Sequence, residues 1–428
     1  MPSFIKLFPK AALQGTDQLL HPAALMILGS HLIGRIGADG YGVLSLSVMS
    51  YGFFALLCPN VASTIYSRLP QYLGANLNRT RITALILALT LSIAVSAVLT
   101  WLALVFLAQQ VPEGRLLRAF ANPQAAAPLL LFAVLFNIDQ ALSALTRMVA
   151  SIERASAIDI LGKLAGWATL LCTLELGGTV LTSPLAGLHV FSLFLLATSA
   201  AKLYCCRSAL DMDGARAILS PHTKSDLLSS ALWPWLLTLG IATFAQADQF
   251  VMSALFAGSE VALVMFLSLV GRTVHSLASA SFAFLFPYLS SVNPRSAQGV
   301  LAARQALLLN PVASLCISAA VYLLAAFFLV PPAGISTSAA MLPFILANFV
   351  LSLHISSWNH LMSLGAFRLV SLTLFLAGLV NSLTVVFLSP ALGANSVWLG
   401  RALAGMIMLA LIARSLAQLN HAALSKAH

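Results

Sequence analysis

The chain has 428 residues, 60% of them hydrophobic and only 8% charged, with a formal net charge of +10. Soluble domains carry roughly 25% charged residues, so a soluble fold of this size is excluded and lipid is the solvent that suits the composition. The basic excess does not mark a nucleic-acid partner, because its placement along the chain follows membrane topology.

The first ten residues are short and basic, and the apolar stretch behind them runs to about Ile36 without a small-residue cleavage site. It reads as a retained first helix rather than a removed signal. A crossing helix needs roughly 20 apolar residues. On that measure twelve spans follow in order, at 13–34, 41–66, 83–108, 125–149, 160–181, 184–204, 231–256, 262–287, 306–330, 340–363, 367–389 and 395–415. Twelve spans put both termini on one side. That side collects 17 Lys and Arg, the other holds Arg35, Arg115 and Arg118, and Arg272 and Arg401 fall inside spans. The positive-inside rule then puts both termini in the cytoplasm. Cys58, Cys172, Cys205, Cys206 and Cys316 show neither disulfide nor metal spacing, and no metal or other cofactor is expected.

The longest connection, 207–230, separates a six-helix lobe at 1–206 from a second at 231–428 with a short tail. A faint repeat supports the division. IGADGYGVLSLSV (36–48) opens span two, FAGSEVALVMFLSLV (256–270) opens span eight, and the two helices close on Pro70 with Tyr72 and on Pro287 with Tyr288. The expected fold is an all-α integral membrane protein of about 12 transmembrane helices, in two pseudo-symmetric lobes around a central cavity near the midplane.

GADGYG (37–42), ADQFVMSALFAG (247–258) and FPYLS (286–290) resemble motifs of the polysaccharide (O-antigen and capsule, Wzx-type) flippases. These form a branch of the multidrug/oligosaccharidyl-lipid/polysaccharide exporter superfamily. The likeness covers about 10–416, and the chain departs from the family at SEVALVMF (259–266), where a Tyr is often found. The resemblance implies a bacterial inner-membrane flippase for an undecaprenyl-pyrophosphate-linked oligosaccharide, with two lobes that rock about the cavity. Polysaccharide polymerase machinery is a further partner that the sequence leaves open.

Charged groups inside a span are expensive and usually face a cavity or a partner. Arg272 lies about 15 Å into span eight and shares a helix face with Ser268, His275 and Ser279. It either grips a phosphate, which a guanidinium binds bidentately, or pairs with a carboxylate such as Asp139. Asp139 and Arg147 are two turns apart in span four; they share a cavity, or Arg147 reaches the headgroups. Asp17 and His21, at i and i+4, form a coupling pair or a local hydrogen bond. Asp248 in span seven, with Gln246 and Gln249 nearby, is a further cavity candidate. Asn348, Ser352, Ser356, Asn359 and Ser363 form a polar stripe in span ten with His354 beside it, to bind sugar or to join helices. Arg401 and Arg35 stand toward the outer mouth, as guides for an anionic headgroup or as lipid contacts.

No Gly-rich phosphate cradle, triad spacing or soluble catalytic domain is visible, so an enzyme or an ATP-driven pump is not expected. A lipid-linked oligosaccharide flippase is the leading reading. An ion-coupled multidrug-type exporter is the alternative, and a major-facilitator transporter ranks last for want of charge signature in SRLPQYLGANLNRTR (67–81). Cavity charge separates the first two. An Arg-dominated lining selects an anion, and a lining dominated by Asp17, Asp139 and Asp248 selects a cation.

Overall fold

In a computed structural model of the chain, the structure describes residues 78–110, 122–176, 184–211, 232–244, 248–255, 258–282, 285–328 and 337–424. Before these it describes 13, 15–17, 20–25, 27–49, 54–55, 57–58, 64–65, 69 and 72. Most of the 207–230 connection, the loop carrying Arg115 and Arg118, and Gln246 lie outside the described residues.

The described chain is helical throughout. The helices are α1 (Gly29–Met49), α2 (Arg79–Gln110), α3 (Pro123–Val149), α4 (Ile152–Leu176), α5 (Pro184–Cys206), α6 (Leu232–Ala242), α7 (Asp248–Leu255), α8 (Gly258–Phe282), α9 (Leu285–Val292), α10 (Ala297–Phe328), α11 (Thr337–Ser352), α12 (Ile355–Ser363), α13 (Phe367–Leu392) and α14 (Asn395–Leu424). Among the described residues nine stretches are long and apolar enough to cross a membrane. They correspond to predicted spans three to six and eight to twelve. The other three are present in pieces. α1 is two helices joined at Gly37, whose φ of 74° suits glycine, so spans one and two meet there. Span seven is described as α6 and α7, on either side of residues 245–247. The result is the all-α, two-lobed membrane fold that the hydropathy pattern predicts.

Local chemistry starts and stops these helices. Asn78 Oδ1 accepts the Arg81 amide at 3.0 Å, Ser151 Oγ that of Arg154 at 3.1 Å and Ser296 Oγ that of Gly299 at 3.1 Å; each satisfies a donor that the first turn leaves unpaired. Span ten breaks between α11 and α12, and Asn310 Nδ2 donates to the freed carbonyls of Ser352 (3.1 Å) and Leu353 (2.8 Å). Backbone polar groups inside lipid need such internal partners.

One lobe packs α3 against α5 and α4, with α2 and α1 beside them. The other packs α13 against α14 and α6, and α8 against α11 and α10; α1 against α8 joins the two. Large side chains such as Leu308, Phe327 and Phe387 are about three-quarters exposed and form an outer apolar surface fit for acyl chains. Where the lobes join, one buried core runs across both, through Leu32, Tyr41, Phe132 and Trp167 to Val264, Phe266, Phe344 and Val397. Toward the opposite end the core divides. Ile82, Leu85, Leu142 and Cys206 cluster within the first lobe; Leu237, Leu361 and Leu411, and separately Phe282, Leu289 and Leu419, cluster within the second. The lobes are therefore sealed together at one end and parted at the other.

Candidate functional site

A cavity with about 320 Å³ of water-accessible space lies between the lobes. The first lobe contributes Asp17, His21, Phe136, Gln140, Arg147 and Lys163, and the second contributes Phe244, Arg272, His275, Asn348 and Arg401. Six of the ten residues that the sequence singles out therefore line one space: Asp17, His21, Arg147, Arg272, His275 and Arg401. Asp248, Asp139, His354 and Asn359 do not line it.

In the second lobe the centre is Asp248, which is fully buried. Its Oδ2 accepts Arg401 Nε at 3.0 Å and Nη2 at 2.8 Å, and its Oδ1 accepts Arg272 Nη2 at 2.7 Å. Arg401 also donates to Ser268, to Oγ at 2.6 Å and to the carbonyl at 3.3 Å. Two expectations are corrected here. The carboxylate that pairs with Arg272 is Asp248, not Asp139, whose partner is Lys202. Arg401 is not a guide at an outer mouth. It is 3% exposed and reaches inward along the lobe to close around Asp248. Gly271 makes this possible: a Cβ there would stand 2.5 Å from Asn348 Nδ2 and 2.6 Å from the Phe344 carbonyl, so only glycine lets α8 approach α11 at that level.

His275 follows Arg272 by one turn and stacks on His354, with ring centroids 5.8 Å apart and planes 25° apart; Trp358 continues the stack, and Phe244 meets both imidazoles edge-on. His354 is thus packing behind the wall, with Nδ1 2.5 Å from the Leu351 carbonyl. Asn359 donates to the carbonyls of Phe282 (3.3 Å) and Ile355 (3.0 Å), so it joins helices away from the cavity. Of the span-ten stripe, Asn348 reaches the cavity.

In the first lobe Asp17 Oδ1 accepts Lys163 Nζ at 2.6 Å, the Asp17 carbonyl accepts the same Nζ at 2.7 Å, and Asp17 Oδ2 accepts Arg147 Nη2 at 3.2 Å. The anticipated Asp17–His21 hydrogen bond is replaced by these partners. His21 Nδ1 instead accepts Trp167 Nε1 at 3.0 Å, which leaves its proton on Nε2. Arg147 is drawn into the bundle toward Asp17 and the cavity. Behind this layer Lys202, wholly buried, bridges Asp139 (2.5 Å) and Asp159. Thr198 and Ser199 hydroxyls donate to Asp139 Oδ1 at 2.8 and 3.1 Å, and Ser143 Oγ donates to Asp159 Oδ2 at 2.9 Å. Asp139 therefore does not share a cavity with Arg147. It is locked inside the lobe, beside a hollow of about 20 Å³, room for one water.

Sequence reasoning missed Asp159, Lys163 and Lys202. The signal was present: Asp159 and Lys163 stand at i and i+4, a favourable helical pair, ahead of the apolar run that ends at Leu176. Lys163 and Lys202 count only toward the basic side of the termini in the sequence reading, and Asp159 is not singled out there. With Arg147, Lys163 and Lys202 taken out of the basic tally for the side of the termini, it falls from 17 to fourteen against three, so the asymmetry survives.

Among the described residues, the first lobe balances Asp17, Asp139 and Asp159 with Arg147, Lys163 and Lys202. The second sets Arg272 and Arg401 against Asp248 alone. The cavity wall itself presents Arg147, Lys163, Arg272 and Arg401 and the single carboxylate of Asp17. Such a wall suits a polyanion: guanidinium groups bind phosphate or carboxylate oxygens in pairs.

No protein-family model matches the chain, and no curated protein matches it in sequence. Solved structures share its fold. An outward-facing conformation of a multidrug resistance MATE family transporter of the MOP superfamily aligns at a TM-score of 0.60 with 15% identity, over 98% of this chain and 95% of the other. An inward-facing conformation of such a transporter aligns at 0.60 with 16% identity, over 96% and 94%. A MOP superfamily transporter from Pyrococcus furiosus, described as having a binding pocket of reverse polarity that suggests a different function, aligns at 0.55 with 15% identity, over 98% and 95%. At this level of identity the likeness establishes the fold, end to end.

Proposed function

We propose that the chain is a secondary transporter of the MOP superfamily that exports an anionic amphiphile by alternating access. The observation that carries the reading is the cavity wall, where four cationic side chains meet one carboxylate. The fold supports transport as such, since structures of the same fold are described in both inward- and outward-facing conformations. With both termini in the cytoplasm, the sealed end of the cavity is the outer one and the parted end the inner one, so the described state receives cargo from the cytoplasm. An inside-negative potential then favours expulsion of an anion by about 2.3 kcal/mol per charge per 100 mV.

For the cargo, a lipid-linked oligosaccharide fits the cationic wall through its pyrophosphate, with the polyprenyl tail left in lipid and the membrane being a bacterial inner membrane. The solved structures speak for a second reading, a multidrug-type exporter of small molecules, and they favour it over a lipid cargo because multidrug transporters are what two of them are. The wall charge favours an anion under either reading, and one transporter of this fold is itself described as having a binding pocket of reverse polarity.

Reconstitution in vesicles tests both. Translocation of a polyprenyl-pyrophosphate-linked sugar, abolished by Arg272→Gln, supports the flippase. Efflux of a cationic dye with no effect of Arg272→Gln removes the anionic reading. Efflux of a small organic anion without lipid translocation assigns a small-molecule exporter with anionic cargo.

A further inference from the structure

The two lobes repeat one arrangement at the cavity. In each, a single aspartate on the lobe's first span holds two bases from other helices, one firmly and one by a single bond. In the second lobe Arg401 is the firm one, with two bonds to Asp248 and two more to Ser268. Arg272 makes one bond to Asp248, at 2.7 Å, and keeps 12% of its side chain exposed in the cavity. In the first lobe Lys163 holds Asp17 through both carboxylate and backbone carbonyl, at 2.6 and 2.7 Å, whereas Arg147 reaches Asp17 Oδ2 at 3.2 Å and stands 3.8 Å from Asp159, with 13% of its side chain exposed. Firm and single holds recur on unrelated helix pairs, so helix geometry alone does not produce them.

We propose that Asp17 and Asp248 are resident counter-ions which the transported anion displaces, with Arg147 and Arg272 as the arms that change partner. This rests on the anionic-cargo reading above and adds a mechanism for release. In the empty cavity a guanidinium without a counter-charge would bear the cost of burial. The aspartate removes that cost and so also competes with cargo. When cargo arrives, Arg272 turns its donors to a phosphate or carboxylate oxygen, and Asp248 stays neutralised by Arg401. When the cavity opens to the other side, the return of the aspartate to its arm drives the anion off. A site without that competitor would bind more tightly and turn over more slowly, since affinity for the bound cargo does not speed its passage.

The test is inorganic pyrophosphate binding to the purified full-length protein by calorimetry, with transport in vesicles alongside. Asp248→Asn is expected to bind pyrophosphate about tenfold more tightly, the equivalent of one charge-assisted hydrogen bond, and to lower both the KM and the maximal rate of transport. Arg272→Gln is expected to weaken binding about tenfold or more. Binding by wild type with unchanged or weaker binding by Asp248→Asn overturns the displacement mechanism and leaves the anionic reading standing. Absence of binding by wild type and Asp248→Asn alike overturns both. Should Asp248→Asn not fold, the wild-type protein still decides. Infrared difference spectra on addition of pyrophosphate should show a shifted carboxylate stretch that Arg272→Gln lacks, and binding without that shift rules displacement out.

Discussion

Lys202 offers the sharpest check on the first lobe, because nothing about it reaches the cavity. It is wholly buried and serves two carboxylates at once, Asp139 at 2.5 Å and Asp159. Lys202→Met keeps most of the volume and removes the charge. Asp139 would retain only the hydroxyls of Thr198 and Ser199, and Asp159 that of Ser143 together with Arg147 Nη2 at 3.8 Å. Breaking a buried pair by removing one partner typically costs about 3–5 kcal/mol, because the other charge stays buried. Here two carboxylates are stranded, so the upper part of that range applies. Equilibrium unfolding of the purified protein in detergent, followed by tryptophan fluorescence, measures the loss. Adding Asp159→Asn should recover about half of it, since one stranded charge is then neutral. Wild-type stability for Lys202→Met, or a further loss with the second substitution, would refute the placement of this lysine between the two acids.

Arg401→Gln should lower stability by about 3 kcal/mol, whereas Arg272→Gln should cost about 1.5 kcal/mol, one charge-assisted hydrogen bond, because Arg401 still neutralises Asp248; the same unfolding assay compares them, and equal losses would dissolve the distinction between a firm and an exchanging base. Gly271→Ala should cost about 1–3 kcal/mol, read as a lowered melting temperature with weakened cargo binding, because the new Cβ would force α8 away from Phe344 and Asn348. Asn310→Ala should destabilise by about 1–3 kcal/mol by leaving the carbonyls at the span-ten break without a donor, which faster amide exchange at α12 would register. Trp167→Phe should cost about 1 kcal/mol, the value of one neutral hydrogen bond to His21.

The fold was legible because its signal is dense. Every crossing helix must be about twenty residues of apolar chain, and basic residues must sort to one side. Nine of the twelve predicted spans recur as helical stretches long enough to cross, span ten among them with a break, and the first two part at Gly37, inside the GADGYG segment that opens span two in the sequence reading. The site was legible in membership and illegible in pairing. Arg272, Arg401, Arg147 and Asp17 announced themselves as charges out of place, but a charge within a span says nothing of the helix that answers it. Asp248 lies 153 residues from Arg401, and Asp17 lies 146 from Lys163. Those contacts arise from helix packing, at glycines such as Gly271 and Gly378, where a Cβ would stand 2.6 Å or less from a neighbouring helix.

The misreading of Lys163 and Lys202 has a physical cause with wider reach. A lysine near the end of an apolar run has two ways to avoid hydrocarbon: it extends to the headgroups, or it turns inward to a carboxylate. Hydropathy scores the two identically. What separates them is whether acids stand at matching depth on neighbouring helices. In the first lobe three do, and each is matched by a base, so that lobe enters the membrane as a nearly neutral block. The second lobe has two bases for one acid, and its surplus charge sits at the cavity wall on Arg272. A transporter that carries an anion needs such an imbalance at the moving interface and balance everywhere else. The division of charge between the lobes, among the described residues, is therefore the feature on which the proposed anionic cargo rests. Reversing it, with Arg272→Glu, should abolish pyrophosphate binding by charge repulsion while leaving the first lobe's unfolding behaviour unchanged.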